Sequence, residues 1–400
     1  MNTGIENKNI ILGVTGGIAA YKSLELLRLL KKGGAHVRVI MTQNATRFVG
    51  PLSFEALSGQ PVCTSLFEKS DDAIIRHIEW AESADAVIVA PATANMIGKL
   101  AHGLADDALS TFMTAVTCPV MICPSMNTNM YMSRAVQQNL SILNEYGYLL
   151  VEPDSGSLAC GTVGPGRLPE PEQIYERALH CLIQKDFKGK RFLITAGPTR
   201  EPIDPVRYLS NPSSGKMGYA VAKAAAQRGG EVVLVAGPTV LPDPYGITLI
   251  RVRTAEEMAQ AVFEQMQTAD IIIKAAAVSD YYPVEQFSQK IKKHQNEMAL
   301  SLKRTTDILK ALGERKTGQF LVGFAAETED LQKNAETKLR QKNLDLIVGN
   351  LVGIEASGFQ SDTNTVTIFY PDGSGEPLPS MEKEGVAHVL LDRIRDRIKI

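Results

Sequence analysis

Residues 195–218, Thr-Ala-Gly-Pro-Thr-Arg-Glu-Pro-Ile-Asp-Pro-Val-Arg-Tyr-Leu-Ser-Asn-Pro-Ser-Ser-Gly-Lys-Met-Gly, carry more polar chemistry than a surface connection needs. The stretch contains Arg200, Asp204, Arg207 and Asn211 and ends in Ser213-Ser214-Gly215-Lys216-Met217-Gly218, just before an alanine-rich segment. Glycine lets a backbone approach a phosphate closely, and serine hydroxyls add donors. A following helix presents unpaired, partly positive N–H groups. The stretch therefore reads as an anion cradle, with a long surface connection as the plainer alternative. Further along, Ala275–Pro283 places small residues and Asp280 after a strand, where a flat ligand can approach. Asp280 suits a ribose, a base or a cation. Lys290-Ile291-Lys292-Lys293 either neutralises a triphosphate or forms a solvated charge run. Phe324 ends another strand and could flank a base. Lys338 and Lys342 lie four apart on one helix face and could reach one anion together.

The N-terminal half carries a second set. Thr15-Gly16-Gly17, Thr42 and Pro91-Ala92-Thr93-Ala94-Asn95 follow three strand candidates, and together they suit a phosphorylated cofactor. His77 has the side chain best poised for proton transfer near neutral pH, although a lone histidine is more often structural. Asn127 in Pro-Ser-Met-Asn either donates its amide to a carboxylate or caps the next helix. Cys160 sits among glycines, where a thiol can donate a proton or attack.

The elements that must hold these residues alternate. Ile10–Val14, a helix over Ile18–Lys32 and Val37–Met41 form a βαβ unit, which implies a parallel sheet covered by helices. Ala86–Ala90 and Val120–Cys123 continue it. Polar loops at such strand ends are where open α/β sheets bind ligands. Glu152–Pro171, rich in Gly and Pro, reads as a flap; Pro171–Lys185 reads as a helix and Asp186–Lys190 as a linker. At Arg191 the rhythm restarts, with strands at Phe192–Thr195, Glu231–Ala236, Ile247–Arg251, Ile271–Ala275, Phe320–Phe324 and Leu344–Val348. Tyr219–Arg228, Thr254–Gln267, Thr306–Lys316 and Glu327–Gln341 read as helices. Asn364–Tyr370 followed by Pro371-Asp372-Gly373 suggests a hairpin beside the sheet, and Met381–Arg397 a closing helix. The expectation is an α/β protein of two domains, 1–190 and 191–400.

Bulk properties narrow the class. The chain has 400 residues, is 44% hydrophobic and 22% charged, and carries a formal net charge of -2. That balance gives no push toward nucleic acid or an anionic membrane. The polar start Met1–Asn9 shows no signal-peptide pattern, and no apolar run approaches the ~20 residues that span a bilayer. Five scattered cysteines without metal spacing favour a reducing cytoplasm.

Taken together the loops resemble the bifunctional flavoproteins of coenzyme A biosynthesis, which join a phosphopantothenoylcysteine decarboxylase to a phosphopantothenate–cysteine ligase. The likeness runs along essentially the whole chain. It rests on Gly-Gly-Ile-Ala-Ala-Tyr-Lys (16–22), His-Ile (77–78), Ala-Pro-Ala-Thr-Ala-Asn (90–95) and Pro-Ser-Met-Asn (124–127). It continues through Ala-Cys-Gly-Thr-Val-Gly-Pro-Gly-Arg (159–167), Ser-Asn-Pro-Ser-Ser-Gly-Lys-Met-Gly (210–218), Ala-Ala-Val-Ser-Asp (276–280) and Lys-Ile-Lys-Lys (290–293). Pro212 interrupts the Asn-x-Ser-Ser-Gly loop and removes a backbone N–H beside Asn211.

The resemblance implies a flavodoxin-like or Rossmann-like N-terminal sheet and a Rossmann-like C-terminal nucleotide domain. It implies FMN held by Gly16, Gly17, Thr42, Thr93, Ala94 and Asn95. His77 would act in thiol oxidation, Asn127 would bind the cysteine carboxylate, and Cys160 would donate a proton from the flap. In the second domain Asn211, with Arg207 nearby, would act on an acyl cytidylate. Asp280, Lys290, Thr306, Asp307, Ile308, Leu309, Phe324, Lys338 and Lys342 would bind CTP, with Mg²⁺ whose protein ligands are not assigned. The remaining substrates would be 4′-phosphopantothenate and cysteine. The assembly would be a homo-oligomer, with flavin-domain trimers building a dodecamer and ligase domains pairing. Two rivals stand beside this reading. A reductase with two dinucleotide-binding domains lacks its Gly-x-Gly-x-x-Gly spacing after either first strand. A flavin-binding redox sensor without turnover would not need His77, Asn127 and Cys160 together.

Overall fold

In the computed structural model the described residues are 5–66, 76–157, 161, 163–292, 298–327, 329–351 and 361–398, with only the backbone of 76, 77 and 351. Contacts divide the chain into two units, Met1–Ile183 and Gln184–Ile400.

The first unit is organised by strand alternation. In β1 (Asn9–Val14), Ile10, Leu12 and Val14 face one helix layer while Ile11 faces the other, the period of two expected of a strand buried on both sides. A short 3-10 turn (Ile18–Tyr21) leads into α1 (Lys22–Lys32), which presents Leu26, Leu27 and Leu30 to the first layer. Then come β2 (His36–Met41), α2 (Pro51–Ser58), α3 (Arg76–Ser83), β3 (Ala86–Ala92), α4 (Ala94–His102), α5 (Ala108–Met113) and β4 (Val120–Pro124). Next are α6 (Thr128–Tyr131), α7 (Arg134–Glu145) and β5 (Leu149–Leu150). The sheet has five parallel strands in the order β2-β1-β3-β4-β5. The chain turns from one side of β1 to the other between β2 and β3, so the crevice at the carboxyl ends of β1 and β3 is the switch point. The Gly-rich segment forms a separate antiparallel ribbon, β6 (Asp154–Ser157) with β7 (Val163–Arg167), and α8 (Pro171–Leu182) returns to pack beside α1.

The second unit repeats the principle. Its elements are β8 (Arg191–Ala196), β9 (Arg200–Pro202), β10 (Tyr208–Ser210), α9 (Lys216–Gln227), β11 (Glu231–Ala236), β12 (Thr248–Arg251) and α10 (Ala255–Met266). They continue with β13 (Ile271–Lys274), β14 (Tyr281–Pro283), β15 (Leu302–Arg304), α11 (Ile308–Arg315), β16 (Phe320–Glu327), α12 (Leu331–Gln341) and β17 (Leu346–Leu351). The chain closes with β18 (Thr363–Asn364), β19 (Val366–Phe369), β20 (Gly375–Pro377), β21 (Met381–Glu382) and α13 (Lys383–Ile398). The main sheet runs β12-β11-β8-β13-β16-β17-β19-β20, parallel as far as β17 and antiparallel thereafter. Its switch point lies between β8 and β13. The alanine-rich α9 and the closing α13 cover one face, and α10, α11 and α12 the other. The expected hairpin at 364–373 joins the sheet edge instead of lying beside it, because Val366 and Ile368 reach the α13 layer.

Two expectations need correcting. The loop 197–215 is not irregular throughout: β9 and β10 pair antiparallel, Leu209 against Glu201. Nor is 186–190 a linker. Phe187 is fully buried, its ring edge-on to Phe192 at 5.2 Å, with the Arg228 guanidinium 4.9 Å from its centroid. Asp186 pairs with buried Arg228, so the segment belongs to the second core. Phe187→Ala is therefore expected to cost about 3 kcal/mol of second-unit stability. Trp80, the single tryptophan, lies in the first unit. Urea unfolding should shift by circular dichroism while the Trp80 fluorescence transition stays in place; a shifted Trp80 transition would put Phe187 in the wrong core.

Candidate functional site

At the switch point of the first sheet, three loops are stitched to one another. The Thr15 hydroxyl donates to the Pro91 carbonyl (2.7 Å) and accepts from the Thr93 amide (3.0 Å). The Thr42 amide donates to the Val14 carbonyl (3.0 Å), and the Thr42 hydroxyl accepts from the Ala45 amide (3.3 Å). Gly16, Gly17, Thr42, Thr93, Ala94 and Asn95 thus follow three neighbouring strands, with Thr93 just before the first turn of α4. The two glycines differ. A Cβ on Gly16 would come within 2.4 Å of Asn44 Cβ, so packing between loops excludes a side chain there. A Cβ on Gly17 would meet only Thr93 Cγ2 at 3.7 Å, and its φ of −144° is open to any residue. The fold itself therefore leaves room above Gly17, and that open cradle at a helix start fits the phosphate or ring edge of a bound flavin.

Asn127 plays the capping role: its Oδ1 accepts from the Asn129 amide at 2.8 Å and opens α6. A carboxylate would be recognised by the other end of the amide, so the two readings use different atoms. The root of the flap presses on this loop. The Met126 amide donates to the Gly166 carbonyl (3.0 Å), and a Cβ on Gly166, at φ 141°, would lie 2.2 Å from the Met126 carbonyl oxygen. Only glycine fits there. Beyond the flap, the Lys22 ammonium reaches the Leu168 carbonyl (3.2 Å) and the Glu170 carboxylate (2.8 Å), tying the segment to α1. His77 lies on α3, but its side chain is outside the described residues, as is Cys160.

The second sheet carries a cavity of about 750 Å³ at the carboxyl ends of its strands. Its walls include Asn211–Gly218, Lys274–Val278, Asp280, Thr306–Leu309, Phe324, Lys338 and Lys342. All the nucleotide candidates except Lys290 meet here, although they come from four separate segments of the chain: the turn after β13, the start of α11, strand β16 and the end of α12. Gly215, at φ 77°, turns the chain into α9. A Cβ on Gly218 would lie 2.8 Å from the Thr195 carbonyl oxygen, so its absence lets the helix start sit on β8. The Asn211 amide donates to the Val278 carbonyl at 3.0 Å and joins two walls. Lys338 pairs with Glu327 (2.5 Å) and Lys342 with Asp307 (2.8 Å), so both lysines are held by carboxylates and are not simply solvated. Asp307 also caps α11. Burial alone would raise its carboxyl, but Lys342 and the Lys310 amide outweigh that and hold it below the usual range.

Arg207 and Lys290 stand elsewhere. Arg207 donates to the Asp204 carboxylate (2.7 Å) and the Ile291 carbonyl (3.2 Å), while the Ile291 amide donates to Asp204 (3.2 Å). These contacts make Arg207 a clamp on 290–292, and neither Arg207 nor Lys290 lines the cavity. Sequence reasoning missed Lys274, Arg304, Asn364 and Lys383, which do. Lys274 had a signal, a charge ending an apolar strand; Asn364 and Lys383 had none, since they arrive from the far end of the chain. Among the described residues no cluster of three or more His, Cys, Asp or Glu side chains could hold a metal ion.

Each unit matches a known family. Residues 1–182 match the family model "Flavoprotein", and 187–398 match "DNA/pantothenate metabolism flavoprotein C-terminal domain". The chain is 50% identical over 394 residues to the coenzyme A biosynthesis bifunctional protein CoaBC of Bacillus subtilis, covering 98% of this chain and 97% of that one. The chain belongs to this family. The protein of the same name from Escherichia coli (strain K12) is 46% identical over 398 residues, covering 98% of each. A crystal structure of the C-terminal domain of a CoaBC protein aligns at 44% identity and a TM-score of 0.47, covering 54% of this chain and 99% of that one. As in the rest of the family, the N-terminal unit is a flavoprotein unit. The two glycines should therefore separate on mutation. Gly17→Ala is expected to leave apoprotein melting within about 0.5 kcal/mol of the parent yet reduce bound flavin absorbance, whereas Gly16→Ala should lower melting itself. Equal melting losses would mean that both are packing residues.

Proposed function

We propose that the chain performs two consecutive steps of coenzyme A biosynthesis: CTP-dependent joining of 4′-phosphopantothenate to cysteine, then FMN-dependent decarboxylation of 4′-phosphopantothenoylcysteine to 4′-phosphopantetheine. The observation that carries this reading is the convergence of Asn211, the Ser213–Gly218 cradle, Phe324, Lys338 and Lys342 on one cavity. The full-length likeness to proteins named coenzyme A biosynthesis bifunctional protein supports it and does not favour a regulator without turnover.

In the ligase step the pantothenate carboxylate attacks the α-phosphorus of CTP, pyrophosphate leaves, and the cysteine amine then displaces CMP from the acyl cytidylate. Lys338 and Lys342 would hold phosphate oxygens, and Phe324 would lie against the base. Asp280 would contact the ribose or base, and the 306–309 turn would frame the nucleotide. Asn211 would donate to the acyl oxygen as charge develops on it. Arg207 would act through the 290–292 segment, whose Lys290 would reach the triphosphate. Mg²⁺ would arrive on the nucleotide phosphates, as it commonly does.

In the decarboxylase step, FMN when bound supplies the two-electron oxidation of the cysteinyl thiol that makes loss of carbon dioxide feasible, and later returns the electrons. Gly16, Gly17, Thr42, Thr93, Ala94 and Asn95 would hold it. His77 would take the proton released on thiol oxidation, Asn127 would orient the carboxylate, and Cys160 would donate a proton to the enethiol left after carbon dioxide departs. We assign the protein to the cytoplasm; among the described residues no helix is long and apolar enough to cross a membrane. We also propose assembly through trimers of the flavin unit toward a dodecamer, with paired ligase units; exposed Ile18, Tyr21, Phe48 and Leu52 near the flavin loops would offer the flavin unit apolar surface for self-association.

Purified protein incubated with 4′-phosphopantothenate, cysteine, CTP and Mg²⁺ should release pyrophosphate and carbon dioxide. Asn211→Ala should slow ligation at least about 100-fold while still decarboxylating supplied 4′-phosphopantothenoylcysteine. Cys160→Ser should release carbon dioxide without forming 4′-phosphopantetheine. Flavin-loaded protein that yields neither pyrophosphate nor carbon dioxide would return the regulator reading.

A further inference from the structure

Lys274 is the last residue of β13, in register with Thr195 of β8 and Gly323 of β16. It therefore stands at the switch point of the second sheet, after three fully buried isoleucines, and it lines the cavity. The other lysines of the cavity wall are engaged. Lys216 pairs with Asp362 (2.6 Å), Lys338 with Glu327, Lys342 with Asp307, and Lys383 donates to the Ser361 carbonyl. Among the described residues the Lys274 side chain makes no hydrogen bond or ion pair. The residue is half-buried, and a partly desolvated ammonium without a side-chain partner at a ligand crevice leaves a charge that an arriving anion can offset.

We propose that Lys274 is a phosphate-binding residue of the ligase cavity, its ammonium taking an oxygen from a phosphate group of CTP or of 4′-phosphopantothenate. The proposal rests on the ligase reading above and extends it to a residue outside the family motifs. The charge environment agrees. Burial pushes the Lys274 ammonium down to about 8; the Asp307 carboxylate works against this, Lys342 with it, and Asp280 against it. The other charged or titratable groups around the cavity are Lys216 and Lys383 on their helices, and Tyr281, Arg304 and Lys338 on β14, β15 and α12. An arriving phosphate favours the charged form of Lys274. Binding should therefore take up a proton above pH 8, and affinity should fall as rising pH discharges the free protein.

The test is calorimetric titration of the full flavin-loaded chain with CTP and, separately, with 4′-phosphopantothenate, at pH 7 and pH 9, in buffers of different ionisation enthalpy. For one of the two ligands, affinity should drop about tenfold between these pH values, with close to one proton taken up at pH 9; that ligand is the phosphate donor to the site. Lys274→Met should weaken this ligand about tenfold at pH 7 and abolish the proton uptake. Lys274→Arg, which stays charged, should keep the pH 7 affinity and lose the pH dependence, a check that holds even if the Met variant folds poorly. If both ligands bind, and either variant keeps parental proton uptake with both, the role of Lys274 is overturned and the ligase reading stands. If neither ligand binds the parent chain, both fall.

Discussion

Parallel strands cannot be joined by tight turns. Each crossover must carry the chain back along the sheet, so every loop that follows a strand emerges at the same edge. This constraint governs both units. It brings Thr15 to Thr93 across 78 residues of chain, and Asn211 to Val278 across 67. The reversal of strand order beside β1 and again beside β8 then opens a crevice that no crossover helix covers. The apolar alternation along the strands has a functional consequence for this reason: shifting β13 by one residue would turn its isoleucines out of register and swing Lys274 away from the cavity.

Edges supplied by topology still need loops that keep their shape, and the chain fixes them with polar knots. Asp204 is the clearest. Its buried carboxylate receives the amides of Val206, Arg207 and Ile291 as well as the Arg207 guanidinium. Burial pushes the group up, but these donors more than offset that and hold it below the usual carboxylate range. The knot therefore stays charged at neutral pH. It binds the 203–207 turn to the segment carrying Lys290, so Arg207 and that segment are held together although neither Arg207 nor Lys290 lines the cavity. In the flavin unit the hydroxyl of Thr15 plays the corresponding part with two neutral bonds.

Strands buried on both faces, helices with apolar stripes and Gly-rich strand ends were legible in the sequence because each leaves a local, periodic trace. The loop residues of both sites could be named for the same reason: they sit immediately after those strands. What escaped had no local trace. β9 and β10 are three residues each and β9 ends in Pro202, so their pairing depends on the Asp204 knot and not on propensity. Phe187 looked like a single apolar residue in a polar linker; its burial depends on Phe192 and on Arg228, 41 residues on. Asn364 and Lys383 enter the cavity from elements beyond β17, and no spacing rule links them to Gly215.

The cavity holds cations of two kinds, and the difference bears on how it can take a polyanion. Lys216, Lys338 and Lys342 are already oriented by carboxylates, so a phosphate would share each ammonium with Asp362, Glu327 or Asp307 or displace that carboxylate. Such an exchange gains little in net Coulomb energy, because one anion replaces another and the displaced carboxylate remains close to the phosphates. In the proposed ligase reading, a divalent cation carried on the nucleotide would ease that repulsion, so the acidic partners of the lysines would favour a metal-complexed nucleotide over a bare one. Lys274 has no carboxylate to give up. An anion reaching it removes a standing desolvation cost without creating a new unpaired charge. A count of positive side chains therefore overstates the three paired lysines and understates the half-buried one whose side chain has no partner.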